Sequence, residues 1–195
     1  TFGGAERSNY QSFLKELCIL LGVDEPRPAV ADNSKNAYVF ERSVKFQHGD
    51  GTQTTGSIDL YNRGCFVLET KQGVEKEEAV EFAALSEAKR EQRKKRKRGH
   101  GERGTQAYDR VMRKAHGQAQ SYVRALPADE GRPPFIVIVD VGHSIELYSE
   151  FTCSGGAHTQ FPDPCSYRIA LNDLLDSDVR ETLATLWSNP LSLDP

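Results

Sequence analysis

Apolar residues recur at helical intervals in the first segment: Phe13, Leu14, Leu17, Leu20 and Leu21 stand three or four apart until Gly22. That spacing predicts an amphipathic helix stopped by a glycine. Ser8, with Gln11 three residues on, has the pattern of a capping box and predicts the helix start. "EPRPAVADNSKN" reads as a loop. "AYVFERSVKFQ" then changes to alternation, with Tyr38, Phe40, Val44 and Phe46 expected on one face of a strand. After the turn "HGDG", the stretch "SIDLYNRGCFVLETKQ" (57–72) reads as two strands joined across Asn-Arg-Gly.

Past Lys71 the pattern becomes polar and rich in Ala and Glu, predicting a helix from about Val74 into a basic stretch that "GHGERG" breaks. From about Thr105 to Leu126, Tyr108, Val111, Met112, Ala115, Ala119, Tyr122, Val123 and Leu126 form one stripe of a second amphipathic helix. "FIVIVDV" is an almost continuous apolar run, as expected of a central strand covered on both sides. "HSIELYSEF" alternates and should pair beside it. Residues 152–167 read as loop, 171–175 and 178–187 as short helices, and "NPLSLDP" as a tail leaving the domain. The order α-β-β-β-α-α-β-β-α predicts an α/β fold, a central mixed sheet flanked by helices, in a chain whose 195 residues suit one domain.

The hairpin raises a chemical question, because its strands carry Asp59, Glu69 and Lys71 where Val, Ile or Thr is usual. Glu69 and Lys71, two apart, project to the same side. Asp59 is expected on the face opposite Ile58 and Leu60, across from the region of Glu69. Converging carboxylates repel unless a cation lies between them, and a hard divalent ion such as Mg²⁺ prefers oxygen ligands. Lys71 beside such an ion could orient a water or oppose charge building on a phosphate. On the string alone, a surface ion pair between neighbouring strands is the competing reading.

Composition changes this picture in one respect. The net charge is −3, yet "KREQRKKRKR" (Lys89 to Arg98) holds eight basic residues and one acid, +7, so the remainder carries −10. Attraction for polyanions is therefore concentrated in one tract, and Arg93, Lys94, Lys95, Arg96, Lys97 and Arg98 are candidate DNA-phosphate contacts. The alternative is a solvated helix tail. No apolar run reaches the ~18 residues of a membrane-spanning helix, and no signal peptide is visible. Cys18, Cys65, Cys153 and Cys165 are widely spaced, which favours reduced thiols in a cytosolic protein. Neither C-x-x-C nor H-x3-H supports a zinc site with His158.

Several blocks resemble one family. "ERSNYQSFLKELCILLGVDEPRP", "YVFE", "GSIDLYNRGCFVLETKQG", "RGTQAYDRVMRKAHGQAQSYVRALP", "GRPPFIVIVDVGHSIELYSEF" and "LATLWSNPLSLDP" look like segments of the N-terminal PD-(D/E)xK nuclease domain of MmeI-like (Type IIL) restriction-modification enzymes, in which nuclease, methyltransferase and target recognition share a polypeptide. The resemblance implies a restriction-endonuclease-like core over 1–187, with 89–104 as a basic insertion and 188–195 as a linker toward a methyltransferase domain. It implies a Mg²⁺-dependent endonuclease acting on double-stranded DNA, with Mn²⁺ as a substitute ion and a transient dimer for double-strand cleavage. Its setting would be restriction-modification or phage defence.

By position, the resemblance makes Asp59 and Glu69 metal-binding carboxylates and Lys71 the catalytic lysine. "QAQSY" resembles the Q-x-x-x-Y motif of RecB-like nucleases, placing Gln118 near the active site and Tyr122 one turn on. Some relatives use a helix glutamate, which makes Glu16 an extra candidate ligand and Glu41 a lesser one. The methyltransferase signature N-P-P-Y is absent from this sequence, so S-adenosylmethionine is not an expected cofactor. The alternative function is a catalytically silent DNA-binding or docking module that keeps the nuclease fold.

Overall fold

Helix α1 (Phe2–Leu21) is already running when it reaches Ser8, so the Ser8–Gln11 capping box is not used. Ala5, Glu6 and Arg7 are good helix formers and extend the helix upstream of the expected cap. Gly22 ends it as expected, at φ 68°, where a residue with a Cβ would be strained. The computed structural model describes residues 2–71 and 103–195, with side chains from residue 9 onward. The basic tract and the helix expected from Val74 lie outside the described residues.

The sheet contains β1 (Arg27–Pro28), β2 (Tyr38–Gln47), β3 (Gln53–Asn62), β4 (Phe66–Lys71), β5 (Phe135–Asp140), β6 (Ser144–Ser149), β7 (Thr159–Gln160) and β8 (Arg168–Ala170). Strands β1 to β7 lie side by side in chain order, and β8 also pairs with β6. The β4–β5 and β1–β2 pairs are parallel and the others antiparallel, which makes the expected mixed sheet. All six residues of β5 are buried, as its unbroken apolar run requires of a strand covered on both faces.

Helices supply the two covers. On one face lie α1, through Tyr10, Leu14, Leu17 and Leu21, and a C-terminal helix. On the other lies α2 (Gln106–Ala125), capped by Thr105, which accepts the Tyr108 N–H, and buried through Tyr108, Met112, Ala115, Ala119, Tyr122 and Val123. Val111, assigned to the same stripe, is only half-buried. The C-terminal helix is α3 (Ser177–Ser188), whose Trp187 ring lies 4.5 Å from that of Phe66.

Strand β2 departs from its expected alternation. Tyr38 and Phe40 pack on the α1 face, but Val44 and Phe46 pack on the α2 face. The phase changes at Glu41, whose φ of 57° is left-handed, a conformation costing roughly 1–2 kcal/mol for such a residue. Strand β3 changes phase at the same level: Leu60 faces α1 and Ile58 faces α2, so these two do not share the face expected of them. A bulged or flipped rung of this kind is what allows a residue in a strand to be aimed away from its alternating position.

Three shorter segments also differ from expectation. The loop 152–167 contains the two-residue β7, and Arg168–Ala170 forms β8 instead of leading directly into a helix. Leu171–Leu175 is a 3-10 turn, too tight for an α-helix. The tail "NPLSLDP" folds back as a 3-10 turn at Pro190–Leu193, with Pro190 buried and Leu193 packed on the core, because its apolar residues find cover there. All four cysteines are free thiols.

Candidate active site

The β3–β4 ladder pairs Asn62 with Phe66, Tyr61 with Val67 and Leu60 with Leu68. Continued by one rung, it would set Asp59 opposite Glu69, and there the pairing ends. The Asp59 side chain takes over: Oδ2 accepts the Thr70 backbone N–H at 2.8 Å and the Thr70 hydroxyl at 2.6 Å. Asp59 is thereby tied to the end of β4, a role for Thr70 that the residue pattern does not announce. The two acids expected to converge are neighbours in the fold.

Glu69 is 1% exposed. Its Oε2 lies 3.8 Å from the Lys71 ammonium, whereas its buried Oε1 has no hydrogen-bond partner among the described residues. Burial, then the charge of Asp59, pushes the Glu69 carboxyl up to about 8, with Lys71 opposing the shift. Burial also raises Asp59, against the bonds from Thr70 and the charge of Lys71. A half-partnered carboxylate beside a second one, both held out of water, is costly without a compensating charge. The all-oxygen donor set and the orphaned Oε1 fit a hard divalent cation such as Mg²⁺.

Lys71 closes β4 beside β5, in register with Asp140. Asp140 is fully buried, but Arg103 engages both its oxygens at 2.7 and 3.0 Å and the Tyr108 hydroxyl donates to it at 3.0 Å. This acid is thus matched by its own arginine. The Arg103–Asp140 pair spans 37 positions of sequence, and no local pattern signals it.

Gln118 is half-buried on α2 and donates to the Tyr122 hydroxyl at 2.9 Å. Burial raises the Tyr122 hydroxyl's pKa, and the charges of Glu69 and Asp59 add to the rise, which places that hydroxyl in the field of both acids. Gln118 therefore meets the site through Tyr122. Room for the ring comes from Gly56: a Cβ there would lie 2.6 Å from Tyr122 Cε1 and 2.9 Å from Phe46 Cε2. Gly56→Ala should displace Tyr122 and lower stability by about 1–3 kcal/mol, as a denaturant titration would show; an unchanged midpoint would contradict this packing.

Glu16 is exposed on α1, whereas Tyr10 on the same helix donates to Glu41 Oε1 at 2.7 Å. Among the described residues, no group of three or more His, Cys, Asp or Glu side chains is gathered to hold a metal ion. A cation at Asp59 and Glu69 would complete its shell with water or phosphate oxygens, as Mg²⁺ commonly does. The candidate DNA contacts Arg93 to Arg98 lie outside the described residues.

Away from these residues, a cleft of about 650 Å³ opens on α2 toward β6, but Arg168 spans it, paired with buried Glu146 at 2.7 Å and with Asp109 at 3.3 Å. His158 is buried between Gln120 and the Pro133 carbonyl, a packed histidine with structural bonds. No described helix is long and apolar enough to cross a membrane.

No curated protein matches this chain, and no solved structure does. The family model described as "MmeI, N-terminal domain" matches residues 2–194, all but the first and last residue, and the chain belongs to that family.

Proposed function

We propose that this domain is a Mg²⁺-dependent DNA endonuclease, the nuclease part of a restriction-modification or phage-defence polypeptide. Membership in the MmeI N-terminal family ties the chain to restriction enzymes. The observation that carries the chemical reading is the buried Glu69 carboxylate, one oxygen without a partner among the described residues, on the rung of Asp59 and 3.8 Å from the Lys71 ammonium.

Phosphodiester hydrolysis gathers negative charge on oxygens, and a protein accelerates it by opposing that charge in place. Asp59 and Glu69 would hold the cation, which supplies Lewis-acid polarisation of a phosphoryl oxygen and lowers the pKa of a water. Thr70 keeps Asp59 in position through two hydrogen bonds. Lys71, half-buried at the strand end and 3.8 Å from Glu69, would oppose charge on the scissile phosphate and orient the attacking water. Gln118 steadies Tyr122 beside the acids. Mn²⁺ shares the preference for oxygen ligands and should substitute for Mg²⁺.

Duplex DNA is the proposed substrate, with Arg93 to Arg98 on its phosphates. Sequence choice would come from a target-recognition domain and protection from a methyltransferase domain, with two copies meeting transiently to cut both strands. A silent docking module has no use for a buried carboxylate left half-partnered at the cost of folding stability.

The test is nicking of supercoiled plasmid with Mg²⁺ or Mn²⁺ by the wild type and by Asp59 and Lys71 variants, and equal nicking by all would remove these residues from the mechanism. Replacing Arg93 to Arg98 by glutamines should flatten the salt dependence of DNA retention by up to about five units of log–log slope. An unchanged slope would make the tract a solvated tail.

A further inference from the structure

The register of the sheet brings a third acid to this site. Strands β2 and β3 pair Phe40 with Leu60 and Arg42 with Ile58, so the rung between them belongs to Glu41 and Asp59. That rung is missing from the ladder, as is the Asp59–Glu69 rung on the other side. Three adjacent strands therefore carry carboxylates in one transverse row, Glu41, Asp59 and Glu69, and backbone pairing is broken on both sides of the middle one. Like charges directly opposite destabilise a sheet, so such a row needs something to offset it.

We propose that Glu41, presented by Tyr10, is a positioning acid of the same centre, acting through Asp59 to set how tightly the Asp59–Glu69 pair takes a divalent cation. This rests on the nuclease reading and adds a residue to it. Three independent features converge. The left-handed φ of 57° at Glu41 turns its side chain out of the alternation to the α1 face, where the Tyr10 hydroxyl donates to Oε1 at 2.7 Å. Glu69, 1% exposed and with Oε1 lacking a partner among the described residues, marks a place for a cation at the other end of the row. Asp59 stands between them on the middle strand, one rung beyond the Leu60–Leu68 pair and between the Phe40–Leu60 and Arg42–Ile58 pairs.

Glu41 and Glu69 thus flank Asp59 from the two faces of the sheet. With no three-carboxylate ligand set among the described residues, Glu41 works from outside the direct ligands, by field and by fixing its neighbour. Groups in that position commonly change metal affinity by about 10–100-fold.

Mn²⁺ titration followed by electron paramagnetic resonance tests this without any cleavage. Asp and Asn both tolerate a left-handed backbone, so Glu41→Asp keeps the charge and Glu41→Asn removes it with little added strain. Binding should weaken about 10-fold in Glu41→Asn, stay within about 3-fold of wild type in Glu41→Asp, and fall at least about 100-fold in Asp59→Asn. Wild-type affinity in Glu41→Asn, with loss in Asp59→Asn, would overturn the inference and leave the nuclease reading standing. Undiminished binding in Asp59→Asn would bring down the nuclease reading itself. Should Glu41→Asn not fold, Tyr10→Phe removes only the hydroxyl: weaker Mn²⁺ binding supports the inference, and unchanged binding overturns it.

Discussion

Lys71→Ala and Asp59→Asn should each lower Mg²⁺-dependent plasmid nicking by at least about 100-fold, the loss usual when one group opposing transition-state charge is removed. The two variants fail for different reasons. Lys71 is half-buried at the end of β4, with its ammonium 3.8 Å from Glu69, so truncation removes a charge and little packing. Asp59 is also a structural acceptor for the Thr70 N–H and hydroxyl. Alanine there would orphan both donors, at roughly 1–3 kcal/mol of stability, and confuse misfolding with lost chemistry. Asparagine keeps an acceptor oxygen and removes the charge. Retained melting temperature with lost nicking is the expected pair of results. Nicking that survives in either variant would take that residue out of the chemistry.

The second large effect is on stability against pH in metal-free protein. The Glu69 carboxyl is pushed from an ordinary 4.5 up to about 8 by burial and by Asp59. The folded state then holds a proton that the unfolded state has released, so stability is fully present below about pH 4.5 and is lost as pH rises toward 8. Each pH unit in that window costs up to about 1.4 kcal/mol, so the full rise costs on the order of 5 kcal/mol, equivalent to a melting temperature lower by about 10–20 °C.

Glu69→Gln should flatten this profile and melt above wild type at pH 8, with the two converging near pH 5. Mg²⁺ should restore the wild type at pH 8, because a ligand of the folded state stabilises it by mass action. Parallel profiles for the two proteins in chelator would show that Glu69 is not held as described.

Periodicity made much of this fold readable. The stripe of α2 and the apolar run of β5 each specify one environment, a single buried face and a strand covered twice, and both elements formed where expected. Asp59, Glu69 and Lys71 were legible because charged groups break the pattern of a half-buried hairpin. The misreadings share a cause in backbone geometry. Nothing in "YVFER" announces a left-handed glutamate, so the phase change that sends Phe40 and Val44 to opposite faces is invisible in a strand that alternates correctly on either side.

Ser8 looked like a cap because the six residues before it carry no apolar stripe, yet Ala5, Glu6 and Arg7 have the propensity to continue the helix. Tyr10, Thr70 and Arg103 were missed because each acts through a partner brought close only by the sheet: Glu41 at 31 positions, Asp59 at 11, Asp140 at 37. Glu16 is exposed on α1, and Tyr10, which touches the row of acids through Glu41, sits six residues earlier on the same helix.

The account as a whole depends on a divalent cation residing between Asp59 and Glu69. Crystals soaked in Mn²⁺ and measured at an anomalous wavelength locate it directly. A peak within coordination distance, roughly 2.0–2.4 Å, of an Asp59 carboxylate oxygen and of Glu69 Oε1 is the predicted result. A fully occupied Mn²⁺ bound elsewhere, with these two carboxylates untouched in protein that still cleaves DNA, would contradict it.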